Sequence, residues 1–170
     1  MTLVKGSEVR LPTLPNSAWF FFASEPNYLS FRDDLPGWGQ LAAVFQSPDQ
    51  FPGALIASLP LLPLILLRPV SRWLRRRISK YVQQDTLGLE LDPTEWHSYE
   101  IDWHPEGVTF HLDRQVIKEM NIQPIGPLGL VVWIDNQFAS WSPDGRLGYG
   151  ILQNDEASWI ELEDLELAFA

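Results

Sequence analysis

The sequence predicts an all-β domain, a sandwich or barrel of short strands interrupted by one helix. Three observations predict it. Short segments of alternating apolar and polar residues recur along the chain. The 170 residues include 14 Pro and 11 Gly, punctuation dense enough to favour strands and turns over long helices. Helical spacing is confined to one segment, residues 68–84.

The elements read in order as follows. Residues 18–23 (AWFFFA) form a buried strand ahead of the turn-rich SEPN, and the loop RDDLPGWG leads to a second strand at 40–46. Residues 54–67 are strongly apolar but broken by Pro60 and Pro63, too short a run to span a bilayer. In 68–84, Val70, Trp73, Leu74, Ile78, Tyr81 and Val82 recur at helical spacing, and Pro69 suits a first turn. An amphipathic helix of about four turns is expected. It packs on the β domain through Trp73, Leu74 and Tyr81, with its arginines on the other faces. Together, 54–84 read as an insertion between β elements.

Alternation returns at 86–91 and continues through 96–103 (WHSYEIDW), where Tyr99, Ile101 and Trp103 share one face. HPEG turns the chain into Val108, Phe110 and Leu112, and a tight DRQ turn leads to VIKEM, a meander of hairpins. A long strand over 128–137 (LGLVVWIDNQ), a turn at SPDG and a last strand over 158–169 complete the expectation.

The chain is long enough for a single domain, 1–170, with a sizeable core. It has no Cys, which excludes disulfides, thiolate catalysis and Cys-based zinc sites. Its net charge of −10 makes nucleic acid a poor partner. The charge is uneven. Arg68, Arg72, Arg75, Arg76, Arg77 and Lys80 are half of the 12 Lys and Arg, with no acid among them. The opening MTLVKGSEVRLPTLP lacks the apolar core of a signal peptide, and no transmembrane helix is expected. The sequence assigns no compartment.

The stretch EWHSYEIDWHPEGVTFHLDRQVIK, through Trp96, His97, Tyr99, Ile101, Trp103, Val108, Phe110 and Asp113, resembles a signature of glycoside hydrolase family 16 and its concanavalin A-like lectin/glucanase relatives. GPLGLVVWIDNQFA is similar to uncharacterised bacterial members of that superfamily. The resemblance implies an antiparallel jelly-roll sandwich carrying the inserted helix. Two departures stand out. Arg114 replaces the family's Gly after Asp113, and no Glu-x-Asp-x-x-Glu motif lies upstream of Trp96. That motif supplies the two carboxylates, about 5–5.5 Å apart, that a retaining glycosidase uses. Glu100 and Asp102 imitate its first half inside another strand. Glu161, Glu163 and Glu166 imitate its spacing on the last strand, where a solvated acidic face is the simpler reading. The superfamily usually places several strands before the matched region; if they are missing, an open edge favours self-association.

Trp133, Asp135 and Gln137, alternating on one face of the WIDNQ strand, are the candidate sugar site, with Trp141 and Trp38 extending the platform. An indole stacks on a pyranose face while carboxylate and amide groups bond hydroxyls. Packing of Trp133 in the core is the competing reading. His97, His104 and His111 recur every seven residues, and His97 and His111 are placed to meet across a hairpin, but no metal-ligand motif surrounds them. No metal or cofactor is called for. Gly145, Gly148 and Gly150 resemble a phosphate loop only superficially, since no helix follows.

Three functions follow as expectations. The first is a carbohydrate-binding or glycoside-hydrolase-like protein without the usual carboxylate pair. The second is a module that meets a membrane surface or an acidic protein partner through Arg72, Trp73, Arg75, Arg76 and Arg77. The third is a glycosidase with relocated carboxylates.

Overall fold

Strand pairing follows the alternation in most of the chain. The computed structural model describes residues 14–48 and 63–168. The apolar run at 54–62 lies outside them, as do residues 1–13 of the opening. The described residues are mostly β, with three antiparallel sheets and one short helix. β1 (Ser17–Ala23), β2 (Gly39–Gln46) and β3 (Gln83–Leu89) form the first. β4 (Tyr99–His104), β5 (Gly107–Leu112) and β6 (Gln115–Met120) form the second. β7 (Gln137–Trp141) and β8 (Leu147–Ile151) form a separate hairpin. The helix α1 (Arg68–Ile78) lies between β2 and β3 in sequence.

The first sheet is the middle layer. On one face, Ala42 and Val44, flanked by Ala18, Phe20, Leu87 and Leu89, meet Val108, Phe110 and Met120 of the second sheet. Phe20 sets its ring edge-on to Phe110, centroids 5.1 Å apart. Burying such side chains contributes roughly 1.5–3 kcal/mol each. The opposite face gathers Ala43, Phe45 and Val82 with Trp19, Phe21, Phe31 and Ile78. Both faces of β2 are therefore buried, which is why LAAVF reads as a continuous apolar run rather than an alternating one.

Two turns depend on residues with left-handed backbone. Asp113 (φ 51°) and Arg114 (φ 64°) form the two-residue link between β5 and β6, the geometry of a primed hairpin turn. Gly145 (φ 84°) closes the SPDG turn against the start of α1, where a Cβ would stand 2.5 Å from the carbonyl oxygen of Arg68.

Four expectations are corrected. The helix spans 11 residues, not 17, because Val82 is needed in the core behind β2 and Gln83 already pairs with Gln46. The helix is also rotated from the expected orientation: Ser71, Leu74 and Arg75 are buried while Trp73 faces solvent. The run at 128–137 is not a long strand. Pairing starts only where Asn136 and Leu152 exchange hydrogen bonds, and Leu130 to Ile134 remain exposed. Finally, 158–168 forms no strand, and Trp159, Ile160, Leu162, Leu165 and Leu167 are exposed. An apolar pattern supplies β tendency, but a strand exists only where a neighbouring edge accepts its hydrogen bonds.

Candidate functional site

Trp19 and Phe21 alternate with Phe20 on β1, so both project from the first sheet away from the second sheet. Their rings lie 4.9 Å apart, and Phe45 closes edge-on to Trp19 at 6.0 Å. Trp133 lies against this cluster, its centroid 5.6 Å from Trp19 and its plane tilted by 46°. Trp133 remains 47% exposed, so the ring is supported from within and open outward. That is the arrangement a sugar-stacking residue needs: a wall on one side and water on the other.

The other predicted sugar contacts are only partly brought together. Trp133 and Asp135 precede β7, so the expected alternation on one strand face is lost. The Asp135 carboxylate accepts a hydrogen bond from the Gln137 backbone N–H at 3.2 Å, which fixes the bend into the strand and leaves the Gln137 side chain exposed. Trp141 does not extend the platform. Four residues along β7, about 13 Å of strand, its indole N–H donates to Ser71 Oγ at 2.9 Å and its carbonyl accepts from Arg75. Trp38, 52% exposed, stands in the loop before β2. Trp19 is the participant that the sequence reading missed; its signal was the Trp19/Phe21 alternation inside an apolar run read as uniformly buried.

Behind the aromatic cluster lies a polar anchor. Arg75 enters from α1, only 1% exposed. Its Nε donates to the Trp141 carbonyl at 2.9 Å and one NH2 group to the Ser30 carbonyl at 2.8 Å, and the guanidinium pairs with Asp33. Gln84 of β3 links the same loop, donating to Ser30 Oγ and Thr86 Oγ1 while accepting from the Phe31 N–H. Tyr28 stacks on the Arg75 guanidinium, 5.5 Å from ring centroid to carbon. Burial pushes the Tyr28 hydroxyl above the ordinary phenol range, and the neighbouring positive charge of Arg75 pulls it partly back. Arg75, expected among the outward-facing arginines, thus belongs to the interior: a charge with this many acceptors is satisfied there.

The signature hairpin has its own chemistry. Asp113 accepts from the Ser98 N–H at 3.0 Å and pairs with His97 Nδ1 at 2.9 Å. His97 and His111 do not meet. His111 Nε2 instead lies 3.1 Å from Asp102 Oδ2, and Glu100 is its direct cross-strand neighbour. These three offer ligand atoms within 4.8 Å of one another, on the face of β4 and β5 turned away from the first sheet. A cation could be shared there, but Asp102 and Glu100 are solvated groups on an open face. A shallow depression of about 240 Å³ lies beside His104, Glu106, Thr109 and Glu119. It is smaller than the roughly 300–1,000 Å³ of typical ligand pockets.

Comparison with known proteins returns no match: no family model, no curated protein and no solved structure matches the chain.

Proposed function

We propose that this chain is a carbohydrate-binding protein of the concanavalin A-like lectin/glucanase type, a jelly-roll relative of glycoside hydrolase family 16 without its carboxylate pair. The observation that carries the reading is Trp133, open to solvent and backed by Trp19. Asp135 and Gln137 stand close by in the chain as polar groups for sugar hydroxyls. Two features support the fold assignment. The first two sheets pack face to face. The signature residues His97 and Asp113 close the same hairpin.

Binding is favoured over hydrolysis. A retaining glycosidase needs two carboxylates across one sugar, about 5–5.5 Å apart. Glu100 and Asp102 share an exposed face on the far side of the second sheet from the Trp133 cluster. The test is a glycan array on the purified chain with Trp133→Ala as control. Binding by the native protein, lost in the variant, is expected. An array on which the native protein binds nothing, or equal binding by the variant, overturns the reading.

A further inference from the structure

We propose that the outward face of α1, with the leucines that lead into it, binds the surface of an anionic lipid bilayer. The inference is independent of the sugar reading and rests on how the helix is held.

At 100° per residue, Ser71, Leu74, Arg75 and Ile78 fall on one side of α1. That side is fastened to the domain. Ser71 accepts from the Trp141 indole, Arg75 binds the Ser30 and Trp141 carbonyls, and Ile78 joins the Phe45 cluster. The opposite side must therefore face outward. It presents Arg76 and Trp73, and Arg68 and Arg72, two turns and one turn before Arg76, continue a stripe of exposed arginines along its border, where Arg72 also donates to the Asp144 carbonyl at 3.3 Å. Arg77 flanks the stripe with its guanidinium 5.1 Å from the Trp73 ring centre. None of these four arginines forms an ion pair with a described carboxylate, although the chain carries 22 Asp and Glu. No acidic residue occurs from 50 to 84.

The approach to the helix is apolar and uncovered: Leu64, Leu66 and Leu67 are 45%, 81% and 55% exposed. Leucines and a tryptophan next to a stripe of arginines form the pattern of an interfacial segment, with apolar groups at the acyl boundary and guanidinium groups among the phosphates. An acidic protein would satisfy the charge but leaves the three leucines without a role. A bilayer accounts for both. Among the described residues no helix is long and apolar enough to cross a membrane, and the proposed contact is with the bilayer surface.

The test is co-flotation of the full chain with vesicles of phosphatidylcholine alone or mixed equally with phosphatidylserine. The expected result is association with the mixed vesicles only, reversed by salt at about 0.5 M. Each arginine near an anionic surface is worth about a five-fold change in binding, so Arg72→Gln with Arg76→Gln should weaken it about 25-fold. Both side chains are exposed and the double variant gives up only the solvent-exposed bond from Arg72 to the Asp144 carbonyl, so its circular dichroism should be unchanged. Trp73→Ser should weaken binding without changing its salt dependence. Absence of association with the mixed vesicles overturns the proposal, as does undiminished binding by the double variant. Retention on a polyglutamate matrix without vesicle binding overturns it in favour of an acidic protein partner.

Discussion

His97 and Asp113 pair at 2.9 Å across 16 residues and close the open end of the β4–β5 hairpin. The side-chain hydrogen bond is the main cause of both shifts, raising the His97 imidazole and lowering the Asp113 carboxyl. A raised histidine contributes fully below its unfolded value, about 6.5, and loses the contribution as pH rises through its folded value. A lowered aspartate contributes above its unfolded value, about 3.9, and loses the contribution as pH falls through its folded value. The pair therefore stabilises most between roughly pH 4 and 6.5. In thermal melts, the gap between native protein and Asp113→Asn should be widest near pH 5–6 and shrink towards pH 8. A gap independent of pH would show that the pair acts only as a neutral hydrogen bond.

Arg114 occupies a position that suits glycine. Its φ of 64° costs a residue with a Cβ roughly 1–2 kcal/mol. Part of that gain is lost because glycine has more freedom when unfolded. Arg114→Gly should raise stability by about 0.5–1 kcal/mol, read from urea unfolding. No gain would mean that the arginine side chain makes a compensating contribution in the folded protein.

These two positions also show what sequence reasoning reaches. The hairpins from 99 to 120 were legible because alternation and turn chemistry are local, and the Asp113–Arg114 link needs no distant partner. The rotation of α1 was not. By periodicity alone, an arginine belongs outside and a tryptophan inside. Arg75 is inside because Ser30, Asp33 and Trp141 bring acceptors from 42 to 66 residues away. The strands expected at 128–137 and 158–169 failed for a related reason, since apolar character does not specify a pairing edge. The candidate site was half legible. Trp133 could be singled out, whereas its support by Trp19 depends on how the chain returns over the first sheet.

Gly145 sits where the SPDG turn meets α1. A methyl group there would collide with the Arg68 carbonyl, and φ of 84° disfavours any side chain. Gly145→Ala should lose about 1–3 kcal/mol and loosen the contact between the β7–β8 hairpin and the helix. Amide exchange of the Trp141 and Arg146 N–H groups should then accelerate more than that of Ala42 in the core. Uniform acceleration across all three would place the damage in the whole fold rather than in this contact.

Arg75 is the strongest test of how the helix is attached. Removing a buried guanidinium leaves the Ser30 and Trp141 carbonyls without their donor and Asp33 without its counter-charge. Losses of about 3–5 kcal/mol are typical when one partner of a buried pair is deleted. Asp33 is about half exposed, so a loss nearer 2–3 kcal/mol is expected for Arg75→Met, which keeps much of the apolar stem. Arg75→Lys should rescue little, because one ammonium cannot reproduce the planar fork that reaches two carbonyls and a carboxylate. Arg76→Met, one residue away on the exposed side, should cost less than about 0.5 kcal/mol. Comparable losses at positions 75 and 76 in urea unfolding would contradict the burial of Arg75 and the orientation of the face that α1 presents outward.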